Sequence, residues 1–225
     1  MSDGTATTAW QVDHVFAWCA VGAPELALLE RAGLAVGVRR EHRGQGTANA
    51  CIGFADGYLE LLWLADDAAA RDPHVRPLGL SERARWRETG ASPFGIALRP
   101  RTTPATSLPF VAWDYRPAYL PPDLTIHMAC NSGVLGEPLL FAIDRPFAPF
   151  GVRHRFADAR LRRATVTVVD LAPVSLLRDV AVAGLLLREG AEPLLELELG
   201  GGGGGGAVGS APIDLRPHLP LVLRG

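Results

Sequence analysis

The 225-residue chain has no lysine; all 22 of its basic residues are arginine. That excludes Schiff-base chemistry and a lysine general base. Cysteine is scarce as well. Cys19, Cys51 and Cys130 are odd in number and far apart, which argues against a disulfide framework and for a reducing, cytoplasmic setting. An excess of one charge is also missing, since 24 acidic residues against 22 basic ones leave a formal net charge of −2. No basic stripe interleaved with aromatics occurs, so nucleic acid is not an expected partner. The opening stretch Met1 to Thr8 is polar and lacks the basic-then-apolar pattern of an export signal. No apolar run approaches the ~18–20 residues that cross a bilayer, so no membrane partner is expected. There is no Gly-x-Ser-x-Gly nucleophile elbow.

What is present concentrates between Trp10 and Leu64. Trp10 to Trp18 reads as one strand and Gly57 to Leu64 as another. Side chains alternate faces along a strand, so His14 falls with Val12, Phe16 and Trp18, and Glu60 with Tyr58 and Leu62. A histidine and a glutamate set among apolar residues are costly to bury without partners. If the two strands are neighbours, imidazole and carboxylate converge on one point, which suits a divalent metal or a proton-transfer site. Cys19 and Cys51 have the wrong parity or setting for that point.

Between these strands, Ala23 to Gly33 reads as a short helix, with Pro24 and Glu25 in its first turn and Gly33 at its stop. Ala35 to Arg40 and Ala48 to Phe54 read as strands around a turn at Gly44 to Thr47. Asp56-Gly57 is a hairpin signal leading into the Glu60 strand. The last third shows a similar order, and Ala23-Pro24…Ala32-Gly33-Leu34 recurs there as Ala172-Pro173…Ala183-Gly184-Leu185. The chain therefore reads as α+β, two βαβββ modules forming curved mixed sheets around a small-molecule cavity. The first module spans 10–65 and an irregular connecting section with additional strands spans 66–158. A second βαβββ-like module follows at 159–225, with a glycine-rich loop at 200–206. That run has neither a lysine nor a following helix, so it reads as a plain loop and not a phosphate cradle.

Three segments in this order and spacing, Asp13-His14-Val15, Gly46-Thr47-Ala48-Asn49 and Tyr58-Leu59-Glu60-Leu61, resemble the glyoxalase-like domain group. That group belongs to the vicinal oxygen chelate superfamily, with glyoxalase I, the bleomycin-resistance proteins and the extradiol dioxygenases. The resemblance implies that the first and fourth strands of the module lie side by side. It also implies that His14 and Glu60 bind a divalent metal (Zn, Ni, Mn or Fe), with Glu60 able to act as a catalytic base. Further ligands would come from the second module, but the stretch around Arg163 to Thr165 and the final strand depart from the pattern. His127, in a segment loosely similar to one of the group's, is the remaining candidate ligand. His42, Thr47 and Asn49 are candidate substrate contacts, as are Phe16, Trp18 and Tyr58 on the ligand faces. Each has an ordinary alternative: a core imidazole for His14, a structural histidine for His127, local turn capping for Thr47 and Asn49. The implied function is a divalent-metal-dependent lyase or isomerase, or a dioxygenase-like enzyme, acting on a small molecule with adjacent oxygens. The alternative is a non-catalytic antibiotic- or toxin-binding protein of the same fold, and either is compatible with a homodimer.

Overall fold

The first five elements come in the expected order: β1 (Trp10–Trp18), α1 (Leu26–Arg31), β2 (Val38–His42), β3 (Thr47–Gly53) and β4 (Tyr58–Leu64). They belong to a computed structural model that describes residues 9–102, 107–171, 175–201 and 211–225. Short helices α2 (Asp67–Ala70), α3 (Leu80–Ala84) and α4 (Trp86–Thr89) follow, then β5 (Phe94–Pro100), β6 (Ala112–Tyr115), β7 (Ile126–Ala129) and β8 (Leu139–Ile143). These eight strands form one mixed sheet in the order β2-β3-β4-β1-β5-β8-β7-β6. β1 runs parallel to β4, β5 runs parallel to β8, and β1 and β5 meet antiparallel in the middle. The two halves of the sheet thus repeat one pairing scheme about the β1–β5 seam.

The α+β class and the paired-module organisation are present, but the second set of strands lies at 94–143 and not at 159–225. The expected connecting section supplies half of the main sheet. Among the described residues no helix stands between β5 and β6. β8 escapes sequence patterning because Leu139 to Ile143 is buried throughout; a strand covered on both faces shows no polar alternation.

The C-terminal third builds a separate five-stranded sheet from β9 (Arg160–Val168), β10 (Leu185–Glu189), β11 (Leu194–Gly200), β12 (Ile213–Asp214) and β13 (Leu221–Arg224). Its order is β10-β9-β11-β13-β12. β9 pairs directly with β10 in parallel and with β11 antiparallel, so this is not a βαβββ module. Where the recurring Ala-Pro…Ala-Gly-Leu segment suggests a helix, the described residues 175–184 form only a 3-10 turn at Leu176–Arg178. Residues 172–174 and 202–206 of the glycine run lie outside the described residues.

The two sheets pack face to face. Val15 and Ala17 of β1, Leu59 and Leu61 of β4 and Ile96 and Leu98 of β5 share one core with Ala164 and Val166 of β9, Leu195 and Leu197 of β11 and Leu221 and Leu223 of β13. The opposite face of the large sheet carries a second apolar cluster, with Phe16, Trp18, Leu62, Met128, Leu139 and Phe141, and this is the face that bears the cavity. Among the described residues no helix is long and apolar enough to cross a membrane.

A β-bulge sets which β1 side chains reach that face. The register against β5 runs Val12↔Leu98 and then His14↔Ala97, leaving Asp13 as the extra residue. An extra residue resets the alternation. Val12 therefore joins the inter-sheet core with Val15 and Ala17, while His14, Phe16 and Trp18 face the other way. The expectation that Val12 shares the His14 face is corrected by this bulge.

Candidate active site

A cavity of about 400 Å³ opens on the free face of the large sheet, within the size range of small-molecule sites. Its floor comes from β1 to β4: His14, Phe16, Tyr58, Glu60, Leu62, Asn49, Cys51 and His42. Its far wall comes from β7 and β8: Ile126, Met128, Leu139, Phe141 and Ile143. The chain after β8, Arg145 to Phe150, crosses the rim and places the Phe150 ring 5.1 Å from that of Tyr58.

His14 and Glu60 do converge. β1 and β4 are parallel neighbours with Phe16 opposite Glu60 and His14 opposite Tyr58, and His14 Nε2 stands 3.5 Å from Glu60 Oε2. Both residues are buried, at 3% and 6% exposure. The bulge turns Asp13 to the same spot, where its Oδ2 accepts a 2.7 Å hydrogen bond from His14 Nδ1. Arg99 Nη1 donates to Asp13 Oδ1 at 3.0 Å, and Arg99 Nη2 donates to the Asp56 carbonyl at 2.8 Å. Burial pushes the Asp13 carboxyl up, but hydrogen bonds and charge from His14 and Arg99 outweigh it and hold the group below its ordinary value. An ionised Asp13 fixes the Nδ1–H tautomer of His14 and leaves Nε2 to face Glu60. The imidazole is clamped from both sides, stacked on Tyr58 at 4.1 Å and met edge-on by Phe141 at 5.6 Å.

A second network holds Glu60. Asn49 Nδ2 donates to Glu60 Oε1 at 2.6 Å and to His42 Nε2 at 3.2 Å. With Nε2 accepting, His42 carries its proton on Nδ1 and donates to Thr47 Oγ1 at 2.8 Å. Gln45 Nε2 donates to the same hydroxyl oxygen, and Gln45 Oε1 accepts from Tyr115 and Tyr119 at 3.1 and 3.3 Å. Burial pushes His42 below its ordinary range, against the opposing charge of Glu60, which agrees with the neutral imidazole this network requires. Gly46 makes the turn that starts β3. Its φ of +80° and the Asp66 carbonyl oxygen 2.2 Å from where a Cβ would sit leave room for no side chain.

The remaining expected site residues divide. Phe16, Tyr58, His42 and Asn49 line the cavity. Thr47 is 1% exposed and off the wall, so it positions His42 and does not touch a ligand. Trp18 is fully buried in the apolar cluster behind the wall. His127 is corrected outright: Ile126 and Met128 face the cavity, so strand alternation turns His127 away, and it pairs with Asp114 Oδ1 at 2.9 Å. Cys51, set aside from sequence, does line the cavity, but burial and the Glu60 charge push its thiol far up, so it stays protonated. Asp13, Arg99, Gln45 and Tyr119 were not foreseen as site residues. Their positions depend on the bulge and on long-range packing, which leave no local sequence signal.

The resemblance implies a divalent metal, and the donor set does not fit one. His14 and Glu60 supply two donors, and Glu60 Oε1 already accepts from Asn49. The facing wall is aliphatic and aromatic, and no group of three potential ligands exists among the described residues. Protein sites that hold such an ion supply three or four.

Residues 12–116 match the family of glyoxalase-like domains. No curated protein matches the chain in sequence. Among solved structures, a hypothetical protein from Staphylococcus aureus aligns over 96% of this chain and 99% of its own, at 10% identity and a TM-score of 0.50. Methylmalonyl-CoA epimerase in complex with methylmalonyl-CoA and NH4+ covers 61% of this chain and 95% of its own, at 15% identity and a TM-score of 0.40. The Mycobacterium tuberculosis methylmalonyl-CoA epimerase covers 66% and 94%, at 12% identity and 0.39. At 10% identity the likeness to the Staphylococcus aureus protein is one of fold. The segment 12–116, which carries His14, Asn49 and Glu60, is a glyoxalase-like domain of the vicinal oxygen chelate superfamily.

Proposed function

We propose that the protein is an isomerase or lyase that moves a proton beside a carbonyl group of a small molecule, using His14 and Glu60 directly. The observation that supports this is the 3.5 Å approach of His14 Nε2 to Glu60 Oε2 inside the cavity, with Asp13 fixing the far side of the imidazole. In the proposed step one proton lies between these two atoms. With it on Nε2, His14 donates to the substrate carbonyl oxygen and steadies the enolate that forms, while Glu60 takes the proton from the adjacent carbon. Return of a proton to the opposite face of that carbon, with the oxygen's proton going back to His14, completes an isomerisation; loss of a neighbouring leaving group as the carbonyl re-forms and returns its proton to His14 completes an elimination. Asn49 holds the carboxylate in position, and the aliphatic far wall excludes water from the pair.

Solvent-deuterium incorporation, followed by proton NMR, tests this on a panel of carbonyl compounds with an exchangeable neighbouring hydrogen. The wild type should exchange at least one compound, and His14→Asn and Glu60→Gln should each slow it by about 10²–10⁴-fold. The apolar wall also suits a second reading, a binding protein without chemistry. That reading gains if panel compounds bind and none exchanges.

A further inference from the structure

Deep in the cavity both carboxylates have polar partners. Asp13 pairs with Arg99 and His14, and Glu60 is met by His14 and Asn49. No other acidic residue lies on the described wall. Two guanidinium groups at the rim are different. Arg40, on the cavity-facing side of β2 with His42, and Arg145, just beyond β8, both line the opening. Neither head group has a hydrogen-bond or ion-pair partner among the described residues. Their charges bear on the interior: Arg145 on the hydroxyls of Tyr58 and Tyr119, Arg40 on His42 and Cys51. The rim thus carries two positive groups without partners among the described residues, and the wall opposite is apolar.

We propose that Arg40 and Arg145 bind the anionic head group, a carboxylate or phosphate, of a substrate whose body is apolar. Planar guanidinium forks match both head groups. The body lies along the β7–β8 wall, and the reacting carbon falls between head and body, over His14 and Glu60. This rests on the reading of the cavity as the substrate site and adds the class of substrate.

Calorimetric titration with hexanoate, octanoate and decanoate, with the matching alkyl phosphates and with the matching neutral alcohols is the test. At least one anionic series should bind about tenfold or more tightly than the alcohols, and less tightly as salt is raised. Arg40→Gln and Arg145→Gln should each weaken that binding severalfold, and the double variant should bind anion and alcohol alike. The preferred anion assigns the head group. Equal affinity for anion and alcohol in the wild type, an undiminished preference in the double variant, or no binding of any probe overturns the proposal. His14→Asn keeps the anion preference here even if the proton-transfer reading fails, so the two can fail separately.

Discussion

Asp13 carries a partner on each carboxylate oxygen, His14 on one and Arg99 on the other, and all three side chains are buried. Asp13→Ala leaves a buried guanidinium without its counter-ion, and calorimetric unfolding should show a loss of about 3–5 kcal/mol. Because the folded Asp13 carboxyl titrates below its ordinary 3.8, its stabilisation is complete above that pH. It is lost as the pH falls through the lower folded value. His42 acts at milder pH. Its folded value lies below the ordinary 6.5, so the unfolded chain takes the proton first and stability declines as the pH falls from 6.5 toward the folded value. His42→Gln should flatten that part of the stability–pH curve in urea titrations; an unchanged slope would show that His42 is not the group responsible. At this scale the strand patterning served well where the strand was regular. Glu60, Tyr58 and Leu62 share the face expected for them because β4 has no bulge. Val12 and Asp13 could not be placed, since the bulge answers to pairing with β5. Arg99, the partner that anchors Asp13, is 86 residues away.

Strand pairing brings Gly95 of β5 opposite Phe16 of β1, and a Cβ at Gly95 would lie 2.0 Å from the Phe16 ring. Gly95→Ala should therefore push Phe16 into the cavity, costing about 1–3 kcal/mol and weakening ligand binding together with stability. Arg83 of α3 is fully buried, and its guanidinium donates to the carbonyls of Leu78, Ser132, Val134, Leu135 and Glu137. Burial lowers its pKa to about 10, so it remains charged at neutral pH and fastens the loop that delivers β8. Arg83→Met should cost more than about 3 kcal/mol and loosen the β8 wall, readable as faster amide exchange at Leu139 to Ile143. The elements of the first module declared themselves through alternation, the Asp56-Gly57 turn and the helix stop at Gly33. β5, β6 and β7 were among the additional strands expected in the connecting section, whereas β8, apolar on both faces, gave no alternation to read. The short Ala-Pro…Ala-Gly-Leu match pointed instead to the C-terminal third, where Ala183-Gly184-Leu185 leads into β10 of a different sheet.

In the molecule as a whole, one eight-stranded sheet presents opposite faces to different tasks. One face is sealed by the C-terminal sheet, and the other carries the cavity. Removing residues 159–225 would expose the leucine- and valine-rich inter-sheet face, so the truncated chain should aggregate and lose its cooperative unfolding transition, as followed by light scattering and circular dichroism. The resemblance seen in the sequence led to the right superfamily, but where it implied ligands from a second module the cavity has an apolar wall of aliphatic and aromatic side chains. In the proposed reaction His14 and Glu60 hold a proton between them, which would place the chemistry in the side chains themselves. The most direct test is solvent-deuterium exchange into a responsive substrate by wild-type protein stripped with a chelator and assayed in its presence. Exchange should continue at the untreated rate and disappear in His14→Asn and Glu60→Gln. Exchange abolished by the chelator and restored by one equivalent of zinc, nickel, manganese or iron would contradict the account.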